Sequence, residues 1–347
     1  MAIDGSLLLI VSAGLLFSFF LAIVCTWLYS YIRMRSVRTI NRELEGILAL
    51  VLRKEEGRLG IPKLRRYVKN SFVKQELLMQ MLIRLGDEYL VDHQDRMASV
   101  IEQSGIQTLL IKLLSTKNPH KQSLACRFAG DLRVHGVQTY IYPLMQSSNN
   151  DVVYNALLAL AKMADLQGLS ESLRANSGQF GLSFRAIVEI VRAFRGSLEE
   201  LVRETIEYSD DYIKGILIKA AADNKCQGLI DYYIRYLSSN NKNLRIACIR
   251  AISELEDTAN ESYVADMLED AEWEVRAAAA KSLEKIGTEN SCASLGKAVQ
   301  DKEWWVRQNA ASALITIPGG IEIANRIIDG DDKFARDALL GVMSVSP

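Results

Sequence analysis

DAEWEVRAAAAKSL, from Asp270 to Leu283, and DKEWWVRQNAASAL, from Asp301 to Leu314, are one pattern written twice, with Asp, Trp, Val, Arg, a small residue and Leu coinciding at a shift of 31. Taking the Arg as an anchor, apolar or small residues recur three, six and seven positions later, and this register extends upstream. Arg245 carries Cys248, Ala251 and Ile252; Lys214 carries Leu217, Ala220 and Ala221; Val153 carries Ala156, Ala159 and Leu160; Gln122 carries Ala125, Phe128 and Ala129. A weaker match sits near Ser183, with Ala186 and Ile190 but a charged Glu189, and Arg336 follows Arg307 by 29 residues. Units are therefore expected to begin near Gln122, Val153, Ser183, Lys214, Arg245, Arg276 and Arg307, with a shortened one at Arg336. A fixed period near 31 predicts an all-α solenoid over residues 115–347.

Each period holds a second, shorter helical pattern, as in LEELVRETI (Leu198 to Ile206), LIDYYIRYL (Leu229 to Leu237), SYVADML (Ser262 to Leu268) and IEIANRII (Ile321 to Ile328). Small residues at the three and six positions of the first helix let neighbouring helices approach, so stacked pairs bury a core that no single pair could bury. The pattern resembles HEAT repeats, in the short form found in phycobilisome-lyase-like proteins, most specifically in the units anchored at Arg245, Arg276 and Arg307. That resemblance implies an acid–arginine ladder linking successive repeats. Asp270/Arg276 and Asp301/Arg307 keep the pair six residues apart, Asp331/Arg336 is one shorter, and Ser239/Arg245 lacks the acid. Trp273 and Trp304 share one repeat position and are read as packing between repeats, with contact to a partner as the alternative.

The chain's 347 residues are 49% hydrophobic and 24% charged, with only 5 prolines, a globular and mainly helical balance. Ser6 to Ile32 contains no Asp, Glu, Lys or Arg, and its core from Leu7 to Leu28 is apolar throughout, about the 20 residues that a hydrocarbon layer of roughly 30 Å requires. Residues 1–32 are expected to form a single transmembrane anchor. Trp27, Tyr29 and Tyr31 suit the headgroup layer, and Arg33, Arg35, Arg38 and Arg42 follow at once, which predicts an outside N-terminus and a cytoplasmic C-terminal domain at the cell membrane. The same arginines could also touch anionic lipid.

Residues 33–114 read as a basic juxtamembrane helical segment. Arg33 to Lys69 holds 11 basic and 4 acidic residues, whereas the chain beyond it holds 30 and 37. Val37, Ile40, Leu44, Ile47 and Val51, widened by Leu48 and Leu52, make one apolar stripe that either packs on the solenoid or pairs two chains. Lys63, Arg65, Arg66 and Lys69 add to the basic field, but without aromatic platforms they do not suggest nucleic acid.

No metal-ligand spacing joins His93, His120 and His135, and no nucleotide-binding or hydrolase motif is present, so no cofactor and no catalytic residue is expected. The cysteines show no disulfide spacing. What remains is a binding surface on the second helices, which in such solenoids line the concave face. Tyr232, Arg235 and Tyr236 fall opposite the apolar spacing of Ile230, Tyr233, Ile234 and Leu237, while the preceding second helix offers Glu200, Glu204 and Glu207. An acidic groove with an aromatic step favours a basic or amphipathic protein partner. The expectation is a noncatalytic, membrane-anchored scaffold; its organisation is similar to HEAT proteins that accompany bacterial polysaccharide glycosyltransferases. The rival class is a lyase-like HEAT enzyme acting on a protein-bound chromophore.

Overall fold

The computed structural model describes residues 5–52, 57–69, 71–89, 100–175 and 181–345, and among them there is helix but no strand. Contacts divide the chain into two compact units, Met1–Lys112 and Leu113–Pro347.

In the first unit the uncharged apolar segment and the apolar stripe form one helix, Gly5–Leu52, of 48 residues. At 1.5 Å per residue it runs roughly 72 Å. The described side chains of its first part, from Ala13, are exposed, and it is the one described helix long and apolar enough to cross a membrane. Farther along, Leu44, Ile47, Leu48 and Val51 become buried. They meet the helix Gly57–Val68, which buries Leu64 and Val68, and the helix Phe72–Tyr89, which buries Leu78, Met79 and Leu82. The stripe thus finds packing partners within its own unit. Lys63, Arg65, Arg66 and Lys69 lie exposed on or just after the second of these helices.

The second unit is the repeat array. Its first helices are Pro119–Asp131, Asn150–Lys162, Phe184–Arg192, Asp211–Asp223, Lys242–Glu254, Trp273–Ile286, Trp304–Thr316 and Lys333–Val345. Most start because a short polar side chain caps them: Asn118, Asn149, Ser183, Asp210 and Asn241 each accept a backbone N–H of the first turn. Every anchor lies four residues past its cap. The residues three, six and seven beyond Gln122, Val153, Lys214, Arg245, Arg276 and Arg307 are all buried. Gly130 shows how close the helices come, because a Cβ there would lie 2.7 Å from the Cα of Ala159 in the next unit. Ser183 needs correction. It is a cap and not an anchor, and the anchor position falls on Ile187, so the adjoining intervals are 34 and 27 residues.

Polar ties repeat with the same period. Lys162 pairs with Asp131 at 2.5 Å, Arg192 with Asp223 at 2.8 Å, Lys225 with Glu256 at 3.0 Å and Lys285 with Glu254 at 2.6 Å, each spanning 31 residues. Glu261 is buried between two units, where it accepts hydrogen bonds from Thr288 Oγ1 at 2.7 Å and Ser291 Oγ at 3.1 Å. Burial pushes its carboxyl upward, but these donors outweigh burial and hold it below the usual range.

The arginine ladder differs from the sequence reading in its wiring. Arg276 donates through Nε and Nη2 to both carboxylate oxygens of Asp301, at 2.7 and 3.0 Å, and through Nη1 to the Asp270 carbonyl at 2.8 Å. Arg245 does the same with Asp270, at 2.8 and 2.9 Å, and with the Ser239 carbonyl at 2.7 Å. Each acid therefore serves the arginine of the preceding unit, and Arg245 is a full rung despite Ser239. The carbonyl tether, six residues back, recurs at Gln122 to Thr116, Arg307 to Asp301 and Arg336 to Gly330. Asp331 is exposed and takes no part, since the acid's position in that unit is held by Gly330.

Burial raises the Asp301 carboxyl, but hydrogen bonds from Arg276 and the Glu303 N–H override it, and the net shift is downward. Removing Arg276 leaves that carboxylate nearly dry. Arg276→Ala should cost about 1–3 kcal/mol, and Arg307→Ala less, because no carboxylate loses a partner. A depressed carboxyl stabilises above its unfolded pKa and loses that contribution as pH falls through the folded one. The urea midpoints of wild type and Arg276→Ala, followed by tryptophan emission, should therefore converge below about pH 4.

Candidate functional site

The sequence-derived face is built by three successive second helices, Leu166–Ala175, Leu198–Thr205 and Ile230–Tyr236. Leu201 and Val202 bury the second of these, and Tyr233 and Leu237 anchor the third, so the intervening residues must face outward. Arg235 is exposed, whereas Tyr232 and Tyr236 are half-buried and pack along the rim of the core.

Around these rings the charges close on one another. Glu207 accepts from Arg235 Nη1 and, at 3.4 Å, from the Tyr236 hydroxyl. Glu204 pairs with Arg174 at 2.7 Å, and Glu199 with Arg203 at 3.2 Å. Arg203 also donates to the Gly228 carbonyl, which ties its helix to the turn leading into the next second helix. The guanidinium carbons of Arg203 and Arg235 lie 5.9 and 5.2 Å from the Tyr232 ring centroid, and Lys214 Nζ lies 5.1 Å from that of Tyr236. Each distance is within cation–π range. Burial first, and then the charge of Glu207, push the Tyr236 phenol up to about 12 against an opposing pull from Arg235.

The structure thus gathers Tyr232, Arg235, Tyr236 and Glu207 into one cluster and puts Glu204 beside it, bound to Arg174. Glu200 is exposed and forms no ion pair among the described residues. The acidic groove expected from the sequence is instead a mosaic of both signs, because Arg174, Arg203, Arg235 and Lys214 thread between the acids. Sequence reasoning passed over Arg174, although its separation of 30 residues from Glu204 is close to one repeat. A mosaic of this kind offers flat, prepositioned rings with an exposed guanidinium.

The tryptophans also depart from expectation. Trp273, Trp304 and Trp305 occupy the first turns of their helices, beyond the buried register, and are 36%, 52% and 57% exposed. Trp304 and Trp305 are more than half exposed, whereas Trp273 is about two-thirds covered. His93 lies outside the described residues, and among those described no three His, Cys, Asp or Glu side chains converge as metal ligands.

With this geometry in view, comparison with a family model matches HEAT repeats at residues 230–315 and 261–337. The matched region runs from residue 230 to residue 337 and holds the units anchored at Arg245, Arg276 and Arg307. A comparison with curated proteins finds no match. Solved structures similar to the chain include an engineered protein, 18% identical, covering 69% of this chain and 97% of its own, with a TM-score of 0.25. Human deoxyhypusine hydroxylase in complex with glycerol is 12% identical over 88% and 96%, with a TM-score of 0.30. The complex of CpcE and CpcF of phycocyanin lyase, from a Nostoc species, is 13% identical over 81% and 94%, with a TM-score of 0.26.

The Arg235–Glu207 pair is open to solvent, so its role in stability is small. Glu207→Ala should shift the unfolding free energy by less than about 1 kcal/mol, measured as the change in urea midpoint, while far-ultraviolet circular dichroism stays at the wild-type value.

Proposed function

We propose that the protein is a noncatalytic scaffold, held at the cell membrane by residues 6–32, that binds a protein partner through the face bearing Tyr232, Arg235 and Tyr236. The observation that carries this reading is the Tyr232 ring between Arg203 and Arg235, beside Tyr236 on Glu207. Tyr and Arg dominate interface energetics, since they bury large areas and lose few rotamers. Here the rotamers are already restrained by the ion pairs and by packing on the core, which lowers the entropy cost of binding. HEAT arrays use extended surfaces of this type, on the concave side, for protein partners.

The anchor and the arginines beside it set the topology in this reading. Arg33, Arg35, Arg38 and Arg42 follow the apolar segment and are exposed, which favours a cytoplasmic C-terminal domain and contact with anionic headgroups. A membrane glycosyltransferase of polysaccharide synthesis is the specific partner proposed. The paired charges of the face favour an amphipathic segment of that partner over a purely basic one.

Two measurements test the proposal. A triple alanine substitution at Tyr232, Arg235 and Tyr236 should weaken capture of the partner from solubilised membranes at least tenfold, equivalent to about 1.4 kcal/mol. It should preserve helicity and lower the melting temperature only modestly, because the rings are rim and not centre. Unimpaired capture would remove this face from consideration. For topology, a reporter fused to the C-terminus should be active only in its cytoplasmic form, and digestion of the repeat array by protease added to intact cells would contradict the assigned orientation.

A further inference from the structure

The ladder has a rung without an acid. Arg307 stands four residues past its cap, as Arg245 and Arg276 do, and its Nη1 is tethered in the same way, to the Asp301 and Lys302 carbonyls at 2.8 and 2.9 Å. In the two preceding units the free edge of the guanidinium, Nε with Nη2, holds a carboxylate from the next unit. At Arg307 that edge has none. Its Nε is buried and makes no hydrogen bond among the described residues. Gly330 stands where Asp270 and Asp301 stand, and the nearby Asp332 accepts the N–H groups of Phe334 and Ala335 with Oδ1 alone, at 2.9 and 3.0 Å, without pairing with Arg307. A buried guanidinium Nε without an acceptor carries a desolvation cost that a carboxylate would relieve.

The surroundings indicate what kind of carboxylate fits. The Phe334 ring centroid lies 5.4 Å from the Arg307 guanidinium carbon, yet the ring is 68% exposed and so can move aside. Trp304 and Trp305, edge to face at 4.6 Å, lie on the first turn of the same helix, more than half exposed. A small free anion would satisfy the guanidinium and leave these three rings in water. An acidic side chain flanked by apolar residues would satisfy both. We infer that Arg307, Trp304, Trp305 and Phe334 form a docking site for an Asp or Glu of a partner protein, which completes the rung that Gly330 leaves open. The site is independent of the Tyr232 face.

The test uses the full chain in detergent and its own fluorescence, since three of its four tryptophans lie between residues 273 and 305. The probes are an acetylated, amidated hexapeptide alternating Leu and Asp, its Asn counterpart, and sodium acetate. The Asp peptide should change the emission saturably, and the Asn peptide should bind at least tenfold more weakly. Arg307→Gln should abolish binding and remain folded, because Gln122 makes the same carbonyl tether with an amide at 2.7 Å. Gly330→Asp should abolish binding and raise the urea midpoint, as an internal carboxylate takes the fork. Its Cβ would meet the Ile327 carbonyl oxygen at 3.2 Å, a contact that a small shift relieves. If that variant does not fold, the comparison of wild type with Arg307→Gln decides alone. Equal binding of the Asn peptide, or binding that survives Arg307→Gln, would overturn the inference. Acetate competing at the peptide's own concentration would mark a site for small anions and equally overturn it. The triple alanine variant of the Tyr232 face should bind the Asp peptide as wild type does, so failure here and failure of the proposed function are distinguishable.

Discussion

A pair of short helices cannot bury its own apolar face, and the organisation of the repeat array follows from that limit. In each regular unit the residues three, six and seven past the anchor are buried, and the first helices pack against those of both neighbouring units. Alanine, glycine and cysteine at these contacts set the distance of approach; the Gly130–Ala159 contact has no room for even one more methyl group. Once that distance is set, side chains about one period apart are brought within bonding range, and the ion pairs that span 31 residues are a consequence of the packing.

The anchor residues add direction to this stack. A guanidinium has enough donors to hold a carbonyl of its own unit and a carboxylate of the next at once, which a lysine, with its single nitrogen, does less well. Arg245 and Arg276 use that capacity fully, and their rungs are largely shielded from solvent. Gln122, with one amide, keeps the carbonyl tether alone. The two full rungs fall inside residues 230–337, where the HEAT-repeat model matches.

The two proposed surfaces sit where the buried register leaves off. Outward residues of the second helices form the Tyr232 cluster, and first-turn aromatics of the first helices form the edge beside Arg307. Both are held by the same core, yet they differ electrostatically. In the first the cations and acids are matched in pairs, whereas the second keeps a guanidinium edge with no acid opposite. These are surfaces of opposite character on one scaffold.

The repeat, its period, the helix pairs and the long apolar helix were all legible in the sequence, because each is a matter of spacing along one chain. A 3.6-residue turn puts Arg245, Cys248 and Ile252 on one face whatever surrounds them. The stack decided what spacing cannot reach. Ser183 matched the period numerically but proved to be a cap, since the local register is counted from the helix start and not from the previous repeat. Asp270 and Arg276 look like a pair in sequence, yet the carboxylate crosses to Arg245, because the helix carries Arg276 onward to the next unit. Nor could the run of glutamates announce Arg174, Arg203 and Lys214 as their neighbours. Charge along a chain is additive, but the field at a surface depends on which side chains the packing brings within a few ångströms, and only the tertiary structure sets that.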